Sequence, residues 1–389
     1  MLKKFKVCVV TGSRAEYGLL YYFLKELKID KKIDLKLIVT GSHLSHKFGF
    51  TIKEIKKDKF KVDKEIKIIS SSDTPYAISK STALGLVGFG QTFKEIKPDL
   101  LVLLGDRYEI LAAAISANFA RIPIAHIHGG ESTEGAFDET IRHSITKMSH
   151  LHFVSTKDYQ KRVIQLGENP STVHLVGGFG IDYIKKTKLL KINKVEKFLN
   201  TKFLYKNLIV TFHPVTYDIN MSSAQIDNLL QALNNLKDTR IIFTGSNADT
   251  EGKIINIKIK KYVKKNKNSI FIMNMGSINY LSTLQFVDGI IGNSSSGLLE
   301  APSFKIGTIN IGDRQKGRVK AKSVINCNYE VSSISKALKK LYSKSFKRVL
   351  KNVRNPYDQN KFASKETLEV IKEKISSNMI KKKFYDIRF

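Results

Sequence analysis

Cysteine is almost missing from this chain of 389 residues: Cys8 and Cys327 are the only two. Two thiols supply neither a disulfide framework nor a four-ligand zinc site, so a reducing cytoplasm is the expected setting. Long apolar runs are missing as well. Nothing approaches the roughly 18 residues that span a bilayer, so no membrane insertion is expected. The start, Met1-Leu2-Lys3-Lys4, carries the charge of a signal peptide, but the apolar stretch behind it is only Val7–Val10 and a polar TGSRAEYG follows. That segment reads as a first β-strand rather than a targeting sequence. Acidic residues are few, 35 against 66 Lys and Arg, for a formal charge of +31. Such an excess invites a nucleic-acid reading, yet arginine is scarce too: 11 of the 66 are Arg and 55 are Lys. Readers of phosphate and base edges favour the bidentate Arg fork. The lysines are scattered, or gathered in helix-like stretches such as Lys258–Lys267 and Lys336–Lys351. The charge is therefore read as a solvated surface, with steering of an anionic substrate as the lesser alternative, and no nucleic-acid partner is expected.

What the chain does have is an alternation of short apolar runs with longer amphipathic ones, the pattern of repeated βα units and parallel sheets. Strands are predicted at Val7–Val10, Leu35–Val39, Leu100–Leu104, Ile122–Ile127, His152–Ser155 and Val173–Val176, with helices between them. A second series follows at Leu208–Phe212, Ile241–Phe243, Ile270–Met273, Gly289–Ile291, Thr308–Ile311 and Ser323–Ile325. At roughly 150 residues per domain, the length suggests at least two domains. The division expected is 1–184, a Lys- and Asn-rich connector 185–206, a second domain 207–360, and a helix with tail 361–389 that is free to pack back on the first domain. The fold class is α/β, with two Rossmann-like doubly wound domains facing each other across a cleft.

Polar, unusual residues gather just after the strands. TGSRAEYG, TGSH, LGDRYE and HIHGGE follow strands of the first series; FHPVTYD, FTGSNADT, IGNSSSGLLE and NIGDRQKGR follow those of the second. Open α/β sheets bind ligands outside the carboxyl ends of their strands, so these loops outline one ligand site. In IGNSSSGLLE, Ser294, Ser295 and Ser296 with Gly297 lie where a strand passes into a helix, an arrangement suited to phosphate; simple capping by serine is the plainer reading. TGSRAEYG lacks the G-x-G-x-x-G spacing of dinucleotide folds and the G-x-x-x-x-G-K-[ST] of P-loops. Its Arg14 is placed to reach a diphosphate, with a surface ion pair to Glu16 as the alternative. Arg107, Arg314 and Arg318 occupy similar loops, and four of eleven arginines in such places point to a polyanionic ligand. Acid and base candidates are Asp106, Glu131, Asp138, Glu139 and His213. His126 and His128 share one side of a strand, and His43 and His46 form a second pair, but no third ligand at a metal-binding spacing accompanies them, so no metal is expected. No G-x-S-x-G elbow is present for a hydrolase triad.

Taken together, TGSRAEYG, GDRYE, HIHGGE with FDETIRHSITKMSHLH, FHPVT, GSNADT, GNSSSGLLE and INIGDRQKGR resemble the hydrolysing UDP-N-acetylglucosamine 2-epimerases of bacterial sialic-acid synthesis. The resemblance runs in order from about Val7 to Arg318. It implies a GT-B arrangement, no cofactor, a homodimer or homotetramer, and conversion of UDP-N-acetylglucosamine and water to N-acetylmannosamine and UDP. The chemistry implied is loss of the C2 proton as the C1–O bond to UDP breaks, giving a 2-acetamidoglucal, followed by hydration with a proton returned to the other face of C2. Two acid/base groups are then required. By resemblance Asp106, Glu131, Asp138 and His213 fill those roles. Arg14, Arg107, Ser294 and Ser295 stabilise the departing diphosphate, and Glu300 and Arg318 contact ribose and phosphate. Where animal and non-hydrolysing relatives carry glutamate, this chain has His128, so the duty rests with either His128 or Glu131. The alternatives are a sister enzyme for a nucleotide-linked 2,4-diacetamido-6-deoxyhexose and, from other classes, a GT-B glycosyltransferase or a non-catalytic nucleotide-sugar binding protein.

Overall fold

Uninterrupted aliphatic runs become the central strands. Leu100–Leu104 is LLVLL, and all five side chains are buried, as both faces of a parallel sheet demand. The structure, a computed structural model, describes residues 4–69, 74–134, 138–215, 221–246, 250–375 and 377–387. Parts of three motifs, Phe137, Thr216–Asp218 and Asn247–Asp249, lie outside the described residues, as does the end of the tail, Arg388-Phe389.

The chain divides into two compact units. The first comprises Met1–Glu131, Phe137–Tyr183 and Tyr357–Phe389; the second comprises Ser132–Ala136 and Ile184–Pro356. In the first, β1 (Phe5–Thr11), β2 (Ile33–Thr40), β3 (Lys64–Ile66), β4 (Leu100–Leu104), β5 (Ile124–Ile127), β6 (Leu151–Val154) and β7 (Val173–Leu175) form one parallel sheet in the order β3-β2-β1-β4-β5-β6-β7. In the second, β8 (Lys206–Thr211), β9 (Thr239–Thr244), β10 (Ser269–Ile272), β11 (Gly289–Gly292), β12 (Gly307–Ile311) and β13 (Val324–Cys327) form another, in the order β10-β9-β8-β11-β12-β13. Each is doubly wound: the order reverses once, between β1 and β4 and between β8 and β11.

Alternation along β1 shows how the first sheet is covered. Val7 and Val9 enter one core with Phe23, Leu24 and Leu27 of helix Arg14–Ile29. Cys8 and Val10 enter the opposite core with Phe89 and Phe93 of helix Pro75–Ile96 and the alanines of helix Tyr108–Phe119. Of the strands described, β3 was not expected. Its sequence Lys-Glu-Ile is two-thirds charged, which suits an edge strand and hides it from an apolar pattern. The segment read as a connector contains a helix, Ile192–Leu199, whose Val195 and Leu199 are buried one turn apart. No described helix is long and apolar enough to cross a membrane.

Helix Ala363–Lys374 supplies Ala363, Leu368 and Ile371 to the same core as Val7 and Val9. Its N-terminus has no capping side chain of its own. Asp182, 1% exposed, does that work from far along the chain: it accepts the backbone N–H of Ala363 at 2.8 Å and of Ser364 at 2.8 Å, and the Ser364 hydroxyl as well. Asp182→Ala leaves those buried donors unmatched and is expected to lower stability by about 2–3 kcal/mol in urea unfolding, with Asp182→Asn retaining part of the loss because one oxygen still accepts.

Candidate active site

The loops that carry the candidate residues leave the carboxyl ends of the strands beside each reversal of strand order. In the first unit they follow β1, β4 and β5; in the second they follow β8, β11 and β12. These are the places where neighbouring loops diverge and open a crevice for a ligand.

A buried arginine organises the first of these groups. Arg142, on helix Asp138–Met148, is 2% exposed. Its Nη2 pairs with the Asp106 carboxylate, and its Nη1 reaches Glu139 Oε2 and the Glu131 carbonyl, each at 2.8 Å. A buried guanidinium needs such partners, so the ends of β4 and β5 are drawn to this helix. Glu139 is occupied by Arg142 and by His143 Nε2 at 3.3 Å, which makes it a structural partner. Asp138 is different: burial first, and the nearby Asp106 charge second, push its pKa up to about 6.

His126 underlies the same group. Its buried ring reaches the Gly105 carbonyl through Nε2 at 2.8 Å and the Thr146 hydroxyl through Nδ1 at 3.1 Å, tying the residue before Asp106 to the Arg142 helix. Burial pushes its pKa down to about 3. His43 is likewise held by Thr11 and Thr51, while His46 stacks on Phe50. His128 sits in the left-handed region at φ 65°, a strained conformation for a non-glycine residue. Its Nε2 accepts the Phe179 N–H at 3.3 Å, so in the neutral ring Nδ1 carries the hydrogen and faces Glu131 Oε1 at 3.6 Å. The Glu131 carboxylate also accepts from Ser155 Oγ at 3.4 Å.

The TGSRAEYG loop lies on the other side of the β1/β4 reversal. The ion pair of Arg14 with Glu16, the alternative to a diphosphate contact, is not made. Arg14 pairs outward with Glu54 at 3.2 Å, and Glu16 turns inward, where its Oε2 accepts the Gly12 N–H at 2.7 Å. Fully buried Glu109 lies beside it and accepts Arg107 Nε at 2.6 Å. This explains the glycines of two T-G-S loops: a Cβ at Gly12 would stand 2.6 Å from the Glu109 carboxylate, and one at Gly41 would stand 2.8 Å from it. The side chain of Arg107 remains 40% exposed, and its terminal Nη groups donate to no described residue.

In the second unit an amide does the organising. Asn293, fully buried after β11, accepts the His213 N–H at 2.8 Å and donates to the His213 carbonyl at 2.7 Å. The Asn293 carbonyl in turn accepts Arg314 Nη1 at 3.0 Å and Gln315 Nε2 at 2.9 Å. Burial, and secondarily Arg314, push the His213 pKa down to about 4, so its imidazole is neutral at physiological pH. The helix after the serines runs only from Ser296 to Leu299, so a long helix dipole is absent there, and Ser295 makes no side-chain cap. Ser296 Oγ holds the Glu300 carboxylate and meets the Tyr280 hydroxyl at 2.6 Å. Burial raises the pKa of Glu300. Ser294 bonds locally to Ser296 N, Gly297 stands against Thr308, and Arg318 closes the loop that begins at Arg314. The sequence motifs contain Arg142, Glu109 and Asn293, but these organising roles were not apparent from them. The signal available was that each lies within four residues of a candidate group.

Two α/β units, each a doubly wound parallel sheet with candidate groups at its strand ends, define a protein of GT-B-like fold. The crystal structure of UDP-GlcNAc 2-epimerase from Neisseria meningitidis bound to UDP-GlcNAc shares that fold, with a TM-score of 0.82, 19% identity, and coverage of 95% of this chain and 100% of that one. The chain belongs to the UDP-N-acetylglucosamine 2-epimerase family, whose profile matches residues 25–372. It is 42% identical over 348 residues to the GDP/UDP-N,N'-diacetylbacillosamine 2-epimerase (hydrolyzing) of Campylobacter jejuni, covering 89% of this chain and 90% of that protein. It is 43% identical over 385 residues to polysialic acid biosynthesis protein P7 of Escherichia coli, covering 98% and 97%.

Asn293→Ala removes the acceptor and donor that clamp His213. The expected loss is about 2–4 kcal/mol of stability in urea unfolding, and Asn293→Asp, which keeps only the acceptor, should fall between the variant and the native protein.

Proposed function

We propose that this protein is a hydrolysing 2-epimerase of UDP-linked 2-acetamido sugars, converting UDP-N-acetylglucosamine and water to N-acetylmannosamine and UDP. The carrying observation is the carboxylate group around Arg142, in which Asp106 is paired with the guanidinium while Asp138 titrates at about pH 6. C2–H of the sugar has no neighbouring carbonyl to acidify it, so the proton leaves only as the C1–O bond breaks. A carboxylate takes that proton, the C1–O electrons depart with UDP, and a 2-acetamidoglucal results. Water then adds at C1, and a second group returns a proton to the opposite face of C2.

Asp106, Glu131 and Asp138 supply the acid/base set, and Asp138 exchanges its proton readily near neutrality. Glu131 rather than His128 carries the duty at that turn of chain, since the His128 Nε2 lone pair is engaged by the Phe179 N–H. His213 acts as a neutral imidazole. Arg107 stabilises the departing diphosphate through its open Nη groups, and within the second unit Ser294, Ser295, Arg314 and Arg318 are the candidate phosphate ligands. Ser296 positions Glu300 for the ribose. No metal or cofactor enters this chemistry.

A second reading is favoured by relatives named for another sugar. Besides the Campylobacter protein, the UDP-N,N'-diacetylbacillosamine 2-epimerase (hydrolyzing) of Legionella pneumophila is 35% identical over 343 residues. On that reading the same carboxylates act on a 2,4-diacetamido-6-deoxyhexose, whose additional acetamido group replaces a hydroxyl.

Incubation with UDP-N-acetylglucosamine in deuterium oxide, followed by proton NMR, should yield UDP and N-acetylmannosamine with deuterium at C2. Release of unexchanged N-acetylglucosamine would sink the glycal route. Turnover of the diacetamido nucleotide alone would select the second reading. The pH profile of kcat/KM should inflect near pH 6, and Asp138→Asn should remove that inflection and lower kcat by roughly 10²-fold or more.

A further inference from the structure

The Arg107 cluster contains more carboxylates than one guanidinium neutralises. Glu16 is 6% exposed and Glu109 is fully buried. Arg107 Nε donates to Glu109 Oε1 at 2.6 Å and stands 3.7 Å from Glu16 Oε1. Glu16 Oε1 and Glu109 Oε2 meet no hydrogen-bond donor from any described residue. The socket accommodates Glu109 because Gly12 and Gly41 lack side chains: a Cβ at either would collide with its carboxylate. With both carboxylates charged, the cluster would be net negative beneath the open face of an arginine that, on the function proposed above, receives a diphosphate.

We propose that Glu16 is a proton-carrying positioning residue: it holds a proton when a diphosphate is bound to Arg107, leaving Glu109 as the guanidinium's single counter-ion, so that diphosphate binding is coupled to proton uptake at Glu16. The inference rests on the reading of Arg107 as a diphosphate ligand. Its physical basis is reciprocal. Bringing two negative charges against a carboxylate favours the neutral acid, and by linkage the neutral acid favours the incoming anion.

The surroundings agree. Burial, with Glu109 as the next cause, pushes the Glu16 pKa up to about 8, against smaller opposing effects from Arg107, the Gly12 N–H and the Ser13 hydroxyl. From the helix beginning at Asp138, the Asp138 charge acts on the same cluster through Arg107 and Glu109. Its own titration lies lower, at about 6, so it is charged where Glu16 changes state. On the β2 side, His43 bonds to Thr11; burial pushes its pKa down to about 4, so it brings no charge. Arg14, on the helix that carries Glu16, is turned outward to Glu54.

Calorimetric titration of the full chain with UDP, in two buffers of different ionisation enthalpy near pH 8, measures the coupling directly. A substantial fraction of one proton should be taken up per UDP bound, and Kd should rise by up to about tenfold per pH unit between about pH 8 and pH 9. A proton still carried by the terminal phosphate of UDP would be released on binding, which is the opposite sign. Glu16→Gln should bind UDP without proton uptake and with a flat pH dependence over that range. Glu109→Gln leaves Glu16 as the sole counter-ion, so the pH dependence should move to lower pH. A role for Glu16 that is only structural would change affinity without changing the proton count. Binding of UDP by the native protein with no proton uptake and a pH-independent Kd overturns the proposal and leaves the epimerase reading intact. Uptake that persists in Glu16→Gln also overturns it. Failure of UDP to bind at any pH overturns the epimerase reading first, and this inference with it.

Discussion

A guanidinium buried among carboxylates is the constraint on which the first unit's chemistry depends. Arg142 cannot be desolvated alone, so Asp106, Glu139 and the Glu131 carbonyl must meet it, and that requirement brings the ends of β4 and β5 to one helix. Drawing Asp106 in also places its charge near Asp138 and contributes to the raised pKa there. The same chemistry recurs at Arg107 with a different outcome. Arg142 is enclosed and spends its donors inside the protein, whereas Arg107 is anchored by Nε alone and keeps its outer face open. One arginine fixes geometry, and on the function proposed above the other is left to meet the diphosphate.

Among its described residues, the second unit reaches comparable order without buried ion pairs. The neutral Asn293 side chain clamps the His213 backbone through one acceptor and one donor, and the Asn293 main-chain carbonyl accepts from Arg314 and Gln315 at the end of β11. On the function proposed above, neutral anchoring suits a region that receives a charged nucleotide, because it adds no fixed negative charge of its own. Ser296 and Glu300 follow a related pattern, with a hydroxyl holding a carboxylate whose burial favours its neutral form.

Much of this was legible in the amino-acid order, for reasons particular to each element. β4 announces itself because a strand covered on both faces must be aliphatic throughout. β3 does not, since an edge strand tolerates Lys and Glu. Asp106, Glu131 and His213 stand out as polar groups just after strands, and Asp138 as an acid at the start of a helix. Arg142 does not stand out: between Glu139 and His143 on a helix it looks like one more exposed charge, and only the fold buries it. Glu109 is hidden in the same way at the first turn of a helix, where an acid is ordinary. Asp182 and Ser364 are separated by 182 positions, and no local pattern carries a partnership of that length.

That last partnership bears on how the chain is made. The first unit takes its opening strands from one end of the polypeptide and helix Ala363–Lys374 from the other, with nearly the whole of the second unit synthesised in between. During translation the β1 core therefore waits, with the apolar surface meant for Leu368 and Ile371 uncovered, while the second unit can already fold. A chain cut before Ala363 would keep every residue of the second unit and lack the helix that covers the β1 core of the first.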